Sequence, residues 1–305
     1  MKHKALSIKF VCMSILILVL SSLACSIDIW GNNEEDLSAE QTLVALQLTQ
    51  IALDNAAEEL PPSDDEEPEV IEPAEEEPAP DVVYEGISFS FNPIIGSNVI
   101  PVTVPMQNLG EETMPGNNYP THYEFTFNDY AVGNHFHTAK IIVYPADEYA
   151  AISPYAKDII FNLSQRLVSR PSGGVNSAFP FLPMWNAAQI FSAKVHYFDF
   201  QNGSGVRFLT MYGQDIYPVD NTNLFYTYQG LTDDERYYIS AVLPVTNSGL
   251  PNSGEEVIGD YLTFNERWDS YISDTVNWLN FELPEDFFPN LDLLDEMMAS
   301  FTIER

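Results

Sequence analysis

The chain has 305 residues and carries 45 acidic side chains against 12 basic ones, a formal charge of −33. A surface this acidic repels nucleic acid and anionic lipid headgroups, which argues against both as direct partners. The length fits one folded domain with appendages, or two small domains.

Met1-Lys2-His3-Lys4 is basic, Phe10 to Leu20 is apolar, and the run Ser21-Ser22-Leu23-Ala24 leads to Cys25. These are the parts of a secretory signal peptide. The apolar run falls short of the roughly 20 residues that a bilayer-spanning helix needs. Ser22-Leu23-Ala24-Cys25 resembles the bacterial lipobox, with Ser22 where that family carries an aliphatic residue. The resemblance implies that residues 1–24 are removed and that Cys25 is lipidated. The protein would then be anchored by its lipid to a bacterial membrane, on the extracytoplasmic side of the cell envelope. A plain secreted protein cut nearby and an uncleaved anchor are the alternatives. Cys12 lies in the signal segment, so Cys25 becomes the single mature cysteine. No disulfide is then available, and the folded part must rely on an ordinary hydrophobic core.

Residues 25–37 form a short acidic tether. Ser38, with Gln41 three residues on, has capping-box spacing and opens a helix over 38–60, free of Gly and Pro. Val44, Leu48, Ile51 and Asn55 follow four-three-four spacing, but for fewer than three heptads. Such a helix either lies along the folded domain or frays in solvent, or it supports weak self-association. Residues 61–82 are mostly Pro, Glu and Asp, a disordered stalk that cannot bury enough apolar surface to order itself. In polyproline II form, at about 3.1 Å per residue, it would reach roughly 70 Å. Residues 25–82 hold 18 acids and no Lys or Arg, which leaves 27 acids and 9 bases for residues 83–305.

Residues 83–305 read as one α+β domain, mostly antiparallel sheet flanked by helices. Gly86 to Phe91 alternates and ends at Asn92-Pro93. Val99 to Val104 is a second strand, with Pro101 marking an edge or a bulge. Tyr123, Phe125 and Phe127 alternate with Glu124, Thr126 and Asn128, a half-buried strand. Gly133-Asn134 then turns the chain into a return strand over His135 to Tyr144. Asp147 and Glu148 open a helical region, and Ser153-Pro154 restarts it as N-cap and first-turn proline. Ile159, Ile160, Leu163 and Leu167 give that helix one buried face before Pro171. Four strands in meander order follow, near Gln189–Phe200, Val206–Tyr212, Leu224–Gln229 and Tyr237–Val245. Their turns are predicted at Asn202-Gly203-Ser204-Gly205 and Thr232 to Glu235. Leu262, Trp268, Tyr271, Ile272, Val276 and Leu279 form a helical stripe, and a last helix near Leu291 to Met298 precedes a short strand at Ser300 to Ile303.

This order, from Gly86-Ile87-Ser88-Phe89-Ser90-Phe91-Asn92-Pro93 through hairpin, helix and meander to Ser300-Phe301-Thr302-Ile303, resembles the PsbP-like fold. The resemblance implies an antiparallel sheet flanked by helices, and a binding or assembly role more than an enzymatic one. The loops at 105–120 and 171–188 depart from it. The layout as a whole resembles bacterial lipoproteins, which brings no activity with it.

Chemistry-bearing residues are few. On a return strand, His135 and His137 would point to one face and could chelate one metal ion. His122, Glu124 or His196 would have to supply a third ligand, since a catalytic zinc needs three and an open position. A surface metalloprotein or hydrolase using this pair is the alternative function. Gly203-Ser204-Gly205 lacks the Gly-x-Ser-x-Gly elbow, paired acids are too common to signal chemistry, and no cofactor is implied. Arg207 could pair with Asp199 across a hairpin or touch a ligand, and Asp199 and Asp215 could line a groove. Phe179, Phe181, Pro183, Met184 and Trp185 sit in a loop that either plugs the sheet or, through Trp185, lines a cleft for a protein or glycan ligand. The leading expectation is a lipid-anchored, extracytoplasmic binding or assembly module, not an enzyme, displayed on an acidic stalk.

Overall fold

The computed structural model describes residues 80–305 apart from Glu111 and Asn176. Cys25, the helix expected over 38–60 and almost all of the 61–82 stalk lie outside the described residues. The domain is α+β. Its main sheet has seven antiparallel strands: β3 (Asn98–Val104), β4 (His122–Asn128), β5 (Lys140–Pro145), β11 (Tyr237–Pro244), β10 (Phe225–Thr232), β8 (Gly203–Thr210) and β7 (Ala193–Phe200), in that spatial order. Pro101 lies in edge strand β3, the position in a sheet where a residue without an N–H is tolerated. The last four strands are the expected meander.

Alternation sorts the side chains to two faces. Tyr123, Phe125 and Phe127 join Ile141, Val143, Ile239, Tyr226 and Tyr228 in the larger core. That face is covered by α5 (Trp268–Phe281), through Ile272, Val276 and Leu279, and by α6 (Leu291–Ala299), through Leu294, Met297 and Met298. A small sheet adds β1 (Val82–Tyr84), β2 (Ile87–Phe89) and β14 (Thr302–Ile303), so the chain's end pairs with the domain's first hairpin. Phe301 stacks on Phe89 at 4.8 Å, and Phe89 meets the edge of Phe125 at 5.5 Å. β1 starts at Val82, the last residue ascribed to the stalk, and the Asp81 carboxylate accepts the Phe91 N–H at 2.9 Å.

The opposite face carries Ile142, Tyr144, Val206, Phe208 and Tyr238. It is covered by α1 (Ala146–Ile152) and α2 (Pro154–Ser169). Ser153 caps α2 as expected, accepting the Ala156 N–H at 3.2 Å with Pro154 in the first turn. The helix stops at Arg170, whose φ of 47° is left-handed, just before Pro171. Among the described residues no helix is long and apolar enough to cross a membrane.

Three local expectations are corrected. Residues 135–139 are not strand: β5 begins at Lys140. The Phe136 N–H goes instead to Thr222 O at 2.9 Å, and the His135 imidazole to Leu224 O at 2.8 Å, which fastens this segment to the loop before β10. Gly203-Ser204-Gly205 belongs to β8, not to the turn, which is Gln201-Asn202. A Cβ on Gly205 would lie 2.2 Å from Tyr228 Cζ, so the glycine leaves room for a buried ring and is not there to bend the chain. The C-terminal stripe is broken at Arg267 between α4 (Tyr261–Glu266) and α5. Leu262 is exposed while its α4 neighbour Phe264 is buried, and the predicted stripe itself continues into the core only from α5.

Candidate ligand cleft

The central strands are buried on both faces although they carry polar residues. Thr227 and Gln229 of β10 and Ser240 of β11 are fully buried. Such groups are tolerated only when bonded to one another or to backbone. Here the Gln229 amide nitrogen donates to Thr227 Oγ1 at 2.8 Å and to Ser240 Oγ at 3.0 Å, while Tyr238 OH donates to Gln229 Oε1 at 2.6 Å. The same Oε1 accepts the Leu182 N–H at 3.0 Å, and Ser240 Oγ donates to Leu182 O. A polar row in the sheet thus grips the backbone of the 171–187 loop. Phe179, Phe181 and Leu182 are buried beneath that loop, as a plug would be, and Trp185 is carried to its outer end.

Trp185 and His137, 48 positions apart in the chain, stack face to face with ring centres 4.5 Å apart and planes 7° from parallel. Phe225 from β10 meets the edge of His137 at 4.8 Å, and Tyr212 meets Trp185 edge-on at 5.1 Å. Around this stack opens a cleft of about 680 Å³, lined further by Phe136, Asn186 and Gln214. Phe136 is 79% exposed at its mouth. The volume falls within the roughly 300–1,000 Å³ usual for small-molecule sites, and the lining has their usual character of aromatic walls with a few polar groups.

The cleft carries no uncompensated charge. Burial, and His135 beside it, push the His137 imidazole down to about 4, so it is neutral at pH 7. Lys140 is the one basic residue in the lining, and its Nζ donates to Glu124 Oε1 at 2.9 Å. The neighbouring His122 imidazole and Lys140 together hold the Glu124 carboxyl down to about 2 against its burial. Burial drives the Tyr212 hydroxyl above its ordinary range, so it stays protonated.

The structure separates the residues singled out from sequence. His135 and His137 are neighbours, ring centres 5.7 Å apart and planes tilted by 43°. Both nitrogens of His135 are engaged: Nε2 with Leu224 O, and Nδ1 accepting the His137 N–H at 3.0 Å. His122 is buried against Tyr144 at 4.7 Å, and His196 lies across the sheet beside Asp295. Among the described residues no group of three His, Cys, Asp or Glu side chains is placed to hold a metal ion. Arg207 faces away from the cleft, and its partner is not Asp199. Its Nε and Nη2 bind the Asp295 carboxylate of α6 at 3.2 and 2.9 Å, and Nη1 donates to Lys194 O at 2.7 Å. Tyr226 OH donates to the same carboxylate at 2.9 Å. Asp199 is opposite Ser204 in the β7–β8 ladder, and Asp215 is held by Tyr261 OH at 2.8 Å. Trp185, Tyr212 and His137 were each legible in the sequence separately, but Asn186 and Gln214 were not. The available signal was polar amides next to aromatics in loops, which is weak alone.

Comparison of the chain with protein families, with curated proteins and with solved structures gave no match.

Proposed function

We propose that this protein is a lipid-anchored, extracytoplasmic binding module whose ligand site is the cleft around Trp185. The observation that carries the binding role is the make-up of that cleft: stacked aromatics, side-chain polar groups at its mouth, and no free charge. The anchor rests on the signal sequence that ends at Cys25, and the display on the Pro/Glu/Asp-rich 61–82 segment. The geometry of the histidine pair gives no support to a metalloprotein or hydrolase, since His135 has no nitrogen left for an ion.

Membrane fractionation and intact mass of the full chain, wild type beside Cys25→Ser, test the anchor. A diacylglycerol-sized mass increase in the wild type, with the variant released to the soluble fraction, is the expected result. Identical behaviour of the two proteins would remove the anchor from the proposal and leave the cleft to be judged alone.

A further inference from the structure

The cleft's free groups say what it would take. Trp185 Nε1, the His137 ring nitrogens and the side chains of Thr138 and Asn186 have no hydrogen-bond partner among the described residues. Gln214 uses its Nε2 on Asn186 O at 2.7 Å and keeps its Oε1 free. Thr138, Asn186 and Gln214 are exposed residues, and among the described part-buried residues no fully buried side-chain polar atom lacks a partner, so these groups reach solvent and are open to a ligand. They are neutral, and they mix donors with acceptors.

Three ligand classes are disfavoured by what surrounds them. An anion would find one cation, Lys140, already bound to Glu124 at 2.9 Å, within a domain holding 27 acids against 9 bases. A cation would find no carboxylate in the lining. A peptide that docks by adding a strand would need free backbone along a sheet edge. The backbone beside the cleft is instead consumed where β6 (Ala188–Gln189) pairs with β9 (Tyr212–Gly213). A sugar ring suits what is left, because its C–H faces pack on aromatic rings while its hydroxyls both give and accept hydrogen bonds. Resting on the reading of the cleft as the ligand site, we infer that it binds a neutral oligosaccharide, with Phe136 and the Trp185–His137 stack as the apolar wall and Asn186, Gln214 and Thr138 meeting the hydroxyls.

The test uses the full chain against immobilised neutral oligosaccharides: β-1,4-linked glucose, β-1,4-linked N-acetylglucosamine and α-linked mannose oligomers. Oligogalacturonate and a Pro-rich peptide serve as acidic and peptide comparators, and Trp fluorescence titration gives the Kd. The expected result is binding of at least one neutral series, weakened about tenfold or more by Phe136→Ala and by Asn186→Ala with the melting temperature unchanged. Both side chains are exposed, so neither substitution should threaten the fold. Binding of only oligogalacturonate or the peptide, with the same sensitivity to the two variants, would overturn the neutral-sugar assignment and keep the cleft as the site. Neutral-sugar binding indifferent to both variants would overturn the cleft itself. No binding by any neutral series overturns the inference.

Discussion

Two polar clusters lie on opposite faces of the same sheet, and they differ in one respect. Around Arg207, the guanidinium, the Asp295 carboxylate, the Tyr226 hydroxyl and the Lys194 carbonyl satisfy one another, and Arg207 is 6% exposed. Around Trp185, the ring nitrogens of Trp185 and His137, the Thr138 and Asn186 side chains and Gln214 Oε1 are uncharged and have no protein partner among the described residues. The first arrangement spends its hydrogen bonds on joining α6 to the meander. The second leaves them for something else. From sequence alone Arg207 and Trp185 are both candidates for ligand contact. What tells them apart is whether their hydrogen-bonding capacity is already used.

The largest effect that would break this contrast is on the satisfied side. Asp295→Ala leaves a buried guanidinium without its counter-charge, and should cost about 3–5 kcal/mol of stability. Urea unfolding would measure it, and ligand affinity at the cleft in the remaining folded protein should not move. A loss below about 1 kcal/mol would mean the cluster is not structural. Next comes the link between sheet and loop. Gln229→Leu strands the Leu182 N–H and the Tyr238 hydroxyl at about 1–3 kcal/mol each. It should also free the 171–187 loop, visible as faster hydrogen exchange there, and weaken binding at the cleft.

The pH dependence separates the two sides more finely. His137 titrates near 4 in the fold against an ordinary 6.5, so the unfolded chain takes up the proton first. Its contribution is complete above about 6.5 and declines as pH falls toward 4. Glu124 acts lower, complete above 4.5 and lost toward 2. Melting temperatures from pH 7 to 4 should therefore fall less in His137→Phe than in the wild type; parallel curves would show that the imidazole is not desolvated by the stack. The smallest effect on stability is expected from Phe136→Ala, within about 0.5 kcal/mol because the ring is exposed. That variant should keep its unfolding midpoint, while the cleft's affinity falls.

Much of the fold was legible in the chain. Strict alternation at Tyr123, Phe125 and Phe127, the Ser153-Pro154 helix start and the Pro101 edge strand all follow from local rules of side-chain direction and backbone capacity. The site was legible only as fragments. A strand through His135 looked sound because the turn at Gly133-Asn134 sets up a hairpin, yet hydrogen bonds to Thr222 and Leu224, nearly 90 positions away, hold that segment elsewhere. Gly203-Ser204-Gly205 read as a turn because glycine is also what a turn needs. Only the Tyr228 ring packed on Gly205 shows the other use.

The sequence by itself determined the order of strands and helices, the acidic charge and the residues available for chemistry, since periodicity, capping and composition are local properties. The tertiary structure decided which of those residues meet. Stacking of His137 on Trp185 and pairing of Arg207 with Asp295 each join distant positions, and no spacing rule ties one to the other. Burial then set the charge state: desolvation in the stack is what keeps His137 neutral, and the Lys140–Glu124 pair is what leaves the cleft without free charge.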